Sequence, residues 1–327
     1  MKVTKKILLV SSSSGGHIFP CKECGEYLKK ENYQVKYLGI KKKMEEKYLS
    51  PITLLDISNS FKSSFNVKSI KRIIKEKKII QEEIKNADVI ICFGGFISFL
   101  ICLFNLKYKK KIYMHEQNVV LGDSIKYSYP FVDKVFLSFD NSLTKMKKAV
   151  YTSNPTISSI YRRKNISLIK PKVLFVFGSL SSYTCLKIVK EFLLKTTLDN
   201  FFCVVGGKYT YLFDDIKKKN VKVVEFLLMK DALKEFDLVV TRGGGTTLLE
   251  LLKANVEILV VPSPYVKNNH QYKNGEYLFK KGLISLVEEK DFTCQRIYQE
   301  ITNLKRKNNV EISINPLEII KKEIEND

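Results

Sequence analysis

The chain has 327 residues, of which 45% are hydrophobic and 28% charged; this suits two folded domains and excludes a disordered chain. Glycine (15) and proline (8) are too scarce for a collagen-like or low-complexity protein. Lys and Arg number 56 against 34 Asp and Glu, a formal charge of +22 that favours an anionic partner: nucleic acid, acidic membrane or phosphorylated ligand.

In chain order, the start MKVTKKILLV has a short apolar run and no cleavage-site pattern, so no signal peptide is expected. Residues 7–10 read as a strand, 16–30 as a helix and 34–40 as the next strand. Ile70, Ile73, Ile74, Ile80 and Ile84 recur at helical spacing. The uncharged run 89–106 is borderline in length for a membrane span, but Gly94-Gly95 divides it, and a buried strand, a glycine turn and a buried helix explain it better. Residues 112–115 and 135–137 are further strands. The pattern pauses at Asn154-Pro155, and the basic, polar stretch 161–172 reads as a linker. Strands then resume at 173–177, 202–205, 221–226, 238–240 and 258–261.

These strands are continuous apolar runs, the mark of parallel strands covered on both faces. The expected fold class is therefore α/β: two Rossmann-like, doubly wound parallel-sheet domains facing a cleft. The expected domains are 1–155 and 156–314, with a C-terminal helix in 315–327 packing back on the first. Seven cysteines, an odd count, fit a reducing cytoplasm. Cys92, Cys102, Cys185 and Cys203 read as small buried hydrophobes. Cys21 and Cys24 form a single CxxC with no second pair, a poor zinc signal.

The positive charge leans to the first half, where residues 1–155 hold 28 basic and 14 acidic side chains. A lysine-rich proteome and a basic patch both account for that. Residues 61–80 carry seven Lys/Arg, one Glu and two Phe. They read either as a basic face over a buried Ile stripe or as an interfacial segment for acidic lipid, each basic residue near the surface contributing about 1 kcal/mol. No DNA- or RNA-binding motif accompanies the charge, so no nucleic-acid partner is expected.

Ligands of open parallel sheets sit beyond the carboxyl ends of strands. Four small-residue loops lie there: 11–16 ending in His17, 94–95, 178–179 and 243–247. Such loops let backbone N–H groups approach a ligand, and the following helix N-termini favour an anion. No GxGxxG opens the chain and no GK[ST] occurs, which argues against a simple dehydrogenase or a P-loop NTPase. There is no Asp-x-Asp and no convincing ligand cluster, so neither a metal nor a cofactor is expected. The three histidines, His17, His115 and His270, all fall at strand ends. Glu250 lies one turn beyond Thr246 and Thr247; spacing alone leaves it either a helix-dipole carboxylate or an acceptor for ribose hydroxyls.

Together these blocks resemble the MurG-type N-acetylglucosaminyltransferases of peptidoglycan synthesis. That family's Thr-Gly-Gly-His, apolar, Phe/Tyr, Pro pattern appears as Ser14-Gly15-Gly16-His17-Ile18-Phe19-Pro20. Its Gly-Gly-Tyr-Val-Ser appears as Gly94-Gly95-Phe96-Ile97-Ser98, and His-Glu-Gln-Asn is intact at His115-Glu116-Gln117-Asn118. Asn154-Pro155, Gly178-Ser179-Leu180-Ser181, Arg242-Gly243-Gly244 with Glu250, and His270-Gln271 follow in the family's order. The matching blocks run from about residue 7 to 287.

The resemblance implies a GT-B glycosyltransferase that moves GlcNAc from UDP-GlcNAc to the C4 hydroxyl of undecaprenyl-pyrophosphoryl-MurNAc-pentapeptide, with inversion, as a peripheral enzyme on the cytoplasmic face of the cell membrane. It makes His17 the general base. It gives Ser179, Thr246 and Thr247 to the diphosphate, backbone groups of Phe226 and Leu227 to uracil, and Glu250 to the ribose. Asn118, His270 and Gln271 would contact GlcNAc; Ser14, Gly15, Gly16, Gly94 and Gly95 would lie near the acceptor pyrophosphate. A UDP-sugar 2-epimerase on the same scaffold and a non-catalytic UDP-sugar or membrane-binding module are the alternatives. The sequence departs from the family at Ser12, Phe96, Ile157, Ser181 and His270, where the family has glycine, tyrosine, arginine, glycine and glutamine.

Overall fold

The computed structural model describes residues 5–12, 14–41, 44–57, 67–178, 181–308 and 310–326. It divides into two compact units, Met1–Ser158 with Ile314–Asp327, and Ser159–Ser313.

Unit 1 is built on β1 (Lys6–Val10), β2 (Gln34–Ile40), β3 (Ile52–Leu55), β4 (Val89–Cys92), β5 (Lys111–Glu116), β6 (Lys134–Leu137) and β7 (Ala149–Tyr151). They form one sheet in the order β3-β2-β1-β4-β5-β6-β7, each neighbouring pair parallel. Its helices are α1 (Gly15–Lys30), α2 (Glu45–Tyr48), α3 (Val67–Asn86), α4 (Phe96–Asn105) and α5 (Asp123–Ser128). The period-2 geometry of a strand sends alternate residues of β1 to opposite faces. Ile7 and Leu9 pack with Ile18, Cys21, Cys24 and Leu28 of α1. Leu8 and Val10 pack with Ile80 and Ile84 of α3 and Ile97 and Ile101 of α4. Both faces are dry, which is why these strands read as unbroken apolar runs.

Unit 2 contains β8 (Val173–Val176), β9 (Phe202–Val205), β10 (Val221–Val224), β11 (Leu238–Thr241), β12 (Glu257–Val260) and β13 (Ser285–Leu286). These are ordered β10-β9-β8-β11-β12-β13, again parallel throughout. Its helices are α6 (Tyr183–Lys195), α7 (Met229–Ala232), α8 (Gly245–Ala254), α9 (His270–Lys280) and α10 (Cys294–Thr302). In each unit the first strand sits beside the fourth, so the strand order reverses there and opens a crevice at the carboxyl ends.

The last helix, α11 (Pro316–Glu325), returns to unit 1. Its Leu317, Ile320 and Ile324 join the β1–α1 core. Lys321 pairs with Glu31 at 2.6 Å, Tyr27 donates to Glu318, and Tyr113 Oη donates to the Glu323 carbonyl at 3.3 Å.

The run 89–106 resolves into β4, the Gly94-Gly95 turn and α4; among the described residues no helix is long and apolar enough to cross a membrane. Other elements differ from the sequence expectation. Strands β3, β7 and β13 were not expected, and each is a sheet edge of four residues or fewer. β10 stops at Val224, leaving Phe226 and Leu227 in the following loop. Ile80 and Ile84 are buried as the helical spacing predicts, yet Ile70 and Ile74 point to solvent. The stretch 161–172 forms no strand or helix, as a linker should, but it is pinned to unit 2. Buried Asp237 accepts from Arg163 Nη2 at 2.8 Å, Ser167 N at 3.1 Å and Lys172 N at 2.8 Å.

Candidate active site

In unit 1 the crevice between β1 and β4 holds His17. α1 begins at Gly15 just beyond the serine loop, which places His17 in its first turn. Ser14 precedes the helix but spends its hydroxyl on the imidazole instead of the helix N–H groups. His17 Nδ1 lies 3.0 Å from Ser12 Oγ, 3.1 Å from Ser14 Oγ and 3.2 Å from the Ser12 carbonyl oxygen. A carbonyl only accepts, so the hydrogen of the neutral ring belongs on Nδ1 and the lone pair on Nε2. Nε2 faces Gly94, where an added Cβ would lie 3.0 Å away. Gly94 also has φ +100°, so two independent demands select glycine there. Ser98 Oγ donates to the Gly94 carbonyl at 2.7 Å and holds the turn.

A cavity of ≈ 190 Å³ opens at this point, lined by His17, Gly94, Gly95, Glu116, Asn118 and Asp123 among others. Glu116 is buried and its carboxylate accepts from Asn118 N (2.9 Å), Asn118 Nδ2 (3.0 Å) and Gly122 N (2.6 Å). Burial pushes its carboxyl pKa up, and these bonds oppose the shift. Glu116 thus fixes the orientation of the Asn118 amide.

His115 is fully buried and lies against the cavity as part of its lining. Gln117 Nε2 donates to its Nδ1 at 3.1 Å, so Nε2–H points to the Ser153 carbonyl at 3.3 Å. Burial lowers this imidazole to about 4; the bond to Ser153 opposes that shift and the His17 charge adds to it. The sign of the resulting pH dependence follows. Between about pH 6.5 and 4 the unfolded chain binds a proton at His115 that the folded chain does not, so stability falls as pH falls. Lowering the pH from 7 to 5 should cost about 2 kcal/mol from this residue. Urea titrations at both pH values, repeated on His115→Asn, check it: the variant should lose this part of the slope.

Asn154 is also buried; its Oδ1 accepts from Thr156 N at 3.1 Å and its Nδ2 donates to Ser138 Oγ at 3.3 Å. Ile157, where the resembling family carries arginine, is in the core. The nearby arginines do not replace that cation, since Arg162 donates to the Val310 carbonyl at 2.6 Å and Arg163 to Asp237. Cys21 and Cys24 are buried thiols. Burial raises Cys24 to about 12 and Cys21 well above its ordinary value, so neither offers a thiolate.

In unit 2 the corresponding crevice lies between β8 and β11. Gly178 ends β8's loop with φ +79° and open space around it. Ser179 and Leu180 lie outside the described residues; Ser181 follows with φ +55°. After β11, Gly244 leads into α8, whose first turn carries Thr246 and Thr247. Thr246 and Glu250 are buried on this helix, one turn apart. Gly243 is required by contact: its Cβ would meet the Gln271 carbonyl oxygen at 2.1 Å. Buried Asn274 donates to the Gly243 carbonyl at 2.9 Å, and Gln271 Oε1 accepts Ser263 N at 2.8 Å. Gln271 is thereby brought against the Gly243 loop. Half-buried His270 donates from Nδ1 to the Lys267 carbonyl at 2.9 Å. Phe226 and Leu227 lie beyond β10 at the sheet edge, Phe226 exposed. Among the described residues no cluster of three or more His, Cys, Asp or Glu is placed to hold a metal ion.

Sequence reasoning passed over the interactions of four residues at the two crevices. Ser12 entered only as a departure, yet its hydroxyl and carbonyl orient His17. Glu116 passed as part of a motif, and its bonds to Asn118 and Gly122 leave no mark in the sequence spacing. Arg242 and its partner Glu289, which bond at 2.6 Å, are too far apart in sequence for spacing to pair them.

Comparison with known proteins adds to this geometry. Residues 7–137 match the glycosyltransferase family 28 N-terminal domain and residues 173–323 the family 28 C-terminal domain. A Thermosipho melanesiensis protein is 29% identical over 332 residues, covering 98% of this chain and 98% of that protein. It is named UDP-N-acetylglucosamine--N-acetylmuramyl-(pentapeptide) pyrophosphoryl-undecaprenol N-acetylglucosamine transferase. A Sulfurihydrogenibium protein of the same name is 29% identical over 307 residues, covering 88% of this chain and 86% of that protein. The crystal structure of Acinetobacter baumannii MurG superposes with TM-score 0.78 at 22% identity, covering 99% of this chain and 100% of that one. A putative UDP-N-acetylglucosamine 2-epimerase from Listeria monocytogenes superposes with TM-score 0.69 at 12% identity, covering 99% of this chain and 98% of that one. At these identities the likeness to solved structures bears on fold, and the fold is GT-B.

Proposed function

Because this chain belongs to glycosyltransferase family 28, we propose that it transfers GlcNAc from UDP-GlcNAc to the C4 hydroxyl of undecaprenyl-pyrophosphoryl-MurNAc-pentapeptide in peptidoglycan synthesis. A relative matched over 98% of its length, and another matched over 86%, carry that name. The observation that carries the reading within the molecule is His17. Its tautomer leaves a lone pair on Nε2, directed at a glycine turn beside a cavity.

The transfer is a single displacement. The acceptor oxygen bonds to the sugar's C1, the bond from C1 to the phosphate oxygen breaks, the hydroxyl proton passes to His17 Nε2, and UDP leaves. Unit 1 takes the acceptor, with Ser14, Gly15, Gly16, Gly94 and Gly95 near its pyrophosphate. Unit 2 takes the donor. The N-terminus of α8 with Thr246 and Thr247, joined by Ser179, meets the charge that grows on the leaving diphosphate. Glu250 accepts from the ribose, Phe226 and Leu227 present backbone groups to uracil, and Asn118, His270 and Gln271 contact GlcNAc. Because donors and a helix terminus carry the phosphate charge, activity should persist at about half its value or better after exhaustive chelation. A loss restored by magnesium would contradict this assignment. Measuring UDP release with and without lipid acceptor tests the function itself: release should need the acceptor, whereas a 2-epimerase consumes UDP-GlcNAc without it.

A lipid-linked acceptor requires membrane docking, and we assign it to α3 with the ends of α4 and α5, on the cytoplasmic face of the cell membrane. Val67 (69% exposed) and Ile74 (64%) stand beside exposed Lys68, Lys71, Arg72, Lys75, Lys77 and Lys78, with Leu106 and Tyr127 also exposed. Apolar side chains ringed by cations suit an anionic bilayer. Replacing Lys71, Lys75 and Lys78 by Glu should weaken binding to phosphatidylglycerol vesicles by about 1 kcal/mol per charge removed, or more. Sedimentation with vesicles measures it, and unchanged binding would move the docking surface elsewhere.

A further inference from the structure

Arg242 opens the glycine loop before α8, where a cation would be taken for a phosphate ligand. Its guanidinium is committed elsewhere. Nη1 donates to the Val261 carbonyl at 3.0 Å and to Glu289 Oε2 at 2.6 Å, and Nη2 donates to Ser182 Oγ at 2.6 Å. The guanidinium carbon also stands 5.9 Å from the centroid of the Phe177 ring. Glu289 completes the arrangement, its Oε1 accepting from Thr184 Oγ1 at 2.5 Å. Arg242 and Glu289 side chains are only 10% and 12% exposed, so the pair is poorly screened by solvent.

These contacts draw together three separate parts of the fold. Val261 follows β12, and Glu289 lies in the turn between β13 and α10. Ser182 is the N-cap of α6 and Thr184 lies in its first turn. The ion pair therefore grips the start of α6 twice, through Ser182 by the arginine and through Thr184 by the glutamate. It joins that helix start to the loop that opens α8. These are the two helix N-termini flanking the crevice between β8 and β11.

We propose that Arg242 and Glu289 are positioning residues for the donor diphosphate, setting the spacing of the α6 and α8 N-termini without touching the phosphates. This rests on the reading of unit 2 as the donor site. The pair carries no net charge, so the anion is met by backbone N–H groups and hydroxyls whose placement the clamp controls. Affinity for a diphosphate should depend on that spacing; affinity for the nucleoside, bound further along the crevice, should not.

The experiment titrates UDP and uridine into the full chain and into Arg242→Lys, Glu289→Gln and the double variant, with melting temperature recorded for each. Lysine keeps the charge but cannot span three acceptors, and glutamine keeps the shape but loses the ion pair. Both single variants should weaken UDP by about tenfold and uridine by less than about twofold. The double variant should lose less than the product of the two single losses, since one contact is removed twice. Any one of the following outcomes overturns the proposal. A rise in UDP affinity with Glu289→Gln would mean that a released Arg242 binds phosphate directly. Equal losses for UDP and uridine, or a lowered melting temperature with an unchanged UDP-to-uridine ratio, would reduce the pair to a fold contact. UDP affinities left at wild type would also remove it. Failure of wild type to bind UDP would overturn the donor-site reading and the clamp together, which separates that failure from the others.

Discussion

His17→Ala should lower kcat on the lipid acceptor by about 10²–10⁴, the usual contribution of a general base, while UDP affinity stays near wild type. The reasoning starts from the ring's hydrogen bonds. Nδ1 is held by the Ser12 carbonyl and by the Ser12 and Ser14 hydroxyls, which leaves the lone pair on Nε2. That atom stands at the Gly94 turn, on the cavity wall. Alanine removes the proton acceptor and leaves α1 otherwise intact, because the ring is only partly buried. The nucleotide is assigned to unit 2, so binding and rate should separate. Rate per folded molecule and UDP titration on one preparation decide the matter; a rate within about threefold of wild type would end the assignment of His17 as base. Ser12→Ala gives a graded companion, expected to lower kcat less than His17→Ala, since Ser14 and the Ser12 carbonyl remain.

Glu250→Ala should weaken UDP by roughly 1.5–3 kcal/mol, the range for hydrogen bonds to a charged group. Glu250 is buried on α8, one turn beyond Thr246. Under the proposed donor assignment a carboxylate there would accept from neighbouring ribose hydroxyls at once, and its charge would strengthen both bonds. Calorimetric titration of UDP against both proteins measures the loss. Using 2′-deoxy-UDP sharpens the measurement: wild type should bind it more weakly than UDP, and Glu250→Ala should barely distinguish the two. Equal discrimination in both proteins would take Glu250 out of the ribose site, whatever the change in absolute affinity.

How much of this was legible in the sequence depended on the range of the interactions. Strands buried on both faces announce themselves locally, so β1, β4, β5, β8, β9 and β11 were readable within a residue or two. β13, with two residues at a sheet edge, has too few side chains to show a period. The Ile stripe of α3 shows the limit of periodicity: Ile70 and Ile74 obey helical spacing yet face solvent. Spacing identifies a helix face without saying what covers it. In the candidate site, motif order pointed to the helices after β1 and β11, and His17 lies on α1 and Glu250 on α8. The serines around His17 read as erosion of a glycine loop, but two of them supply the hydroxyls that orient the ring. Arg242 enters only as part of a motif, and its pairing with Glu289 shows only in the fold. A long-range ion pair leaves no periodic trace.

The position of α11 has a consequence for how the chain is made. Its Leu317, Ile320 and Ile324 complete the core that covers one face of β1 and packs against α1. In chain order they come after the whole of Ser159–Ser313. At ordinary ribosomal speeds that intervening segment takes about 10–30 s to synthesise. During this interval the nascent first unit lacks its covering helix, and part of the surface around Leu28, Tyr33 and Tyr113 stays open to solvent and to chaperones. The second unit has all its own strands before α11 emerges, so it can finish folding while the first waits. The part of the protein begun first is the part completed last.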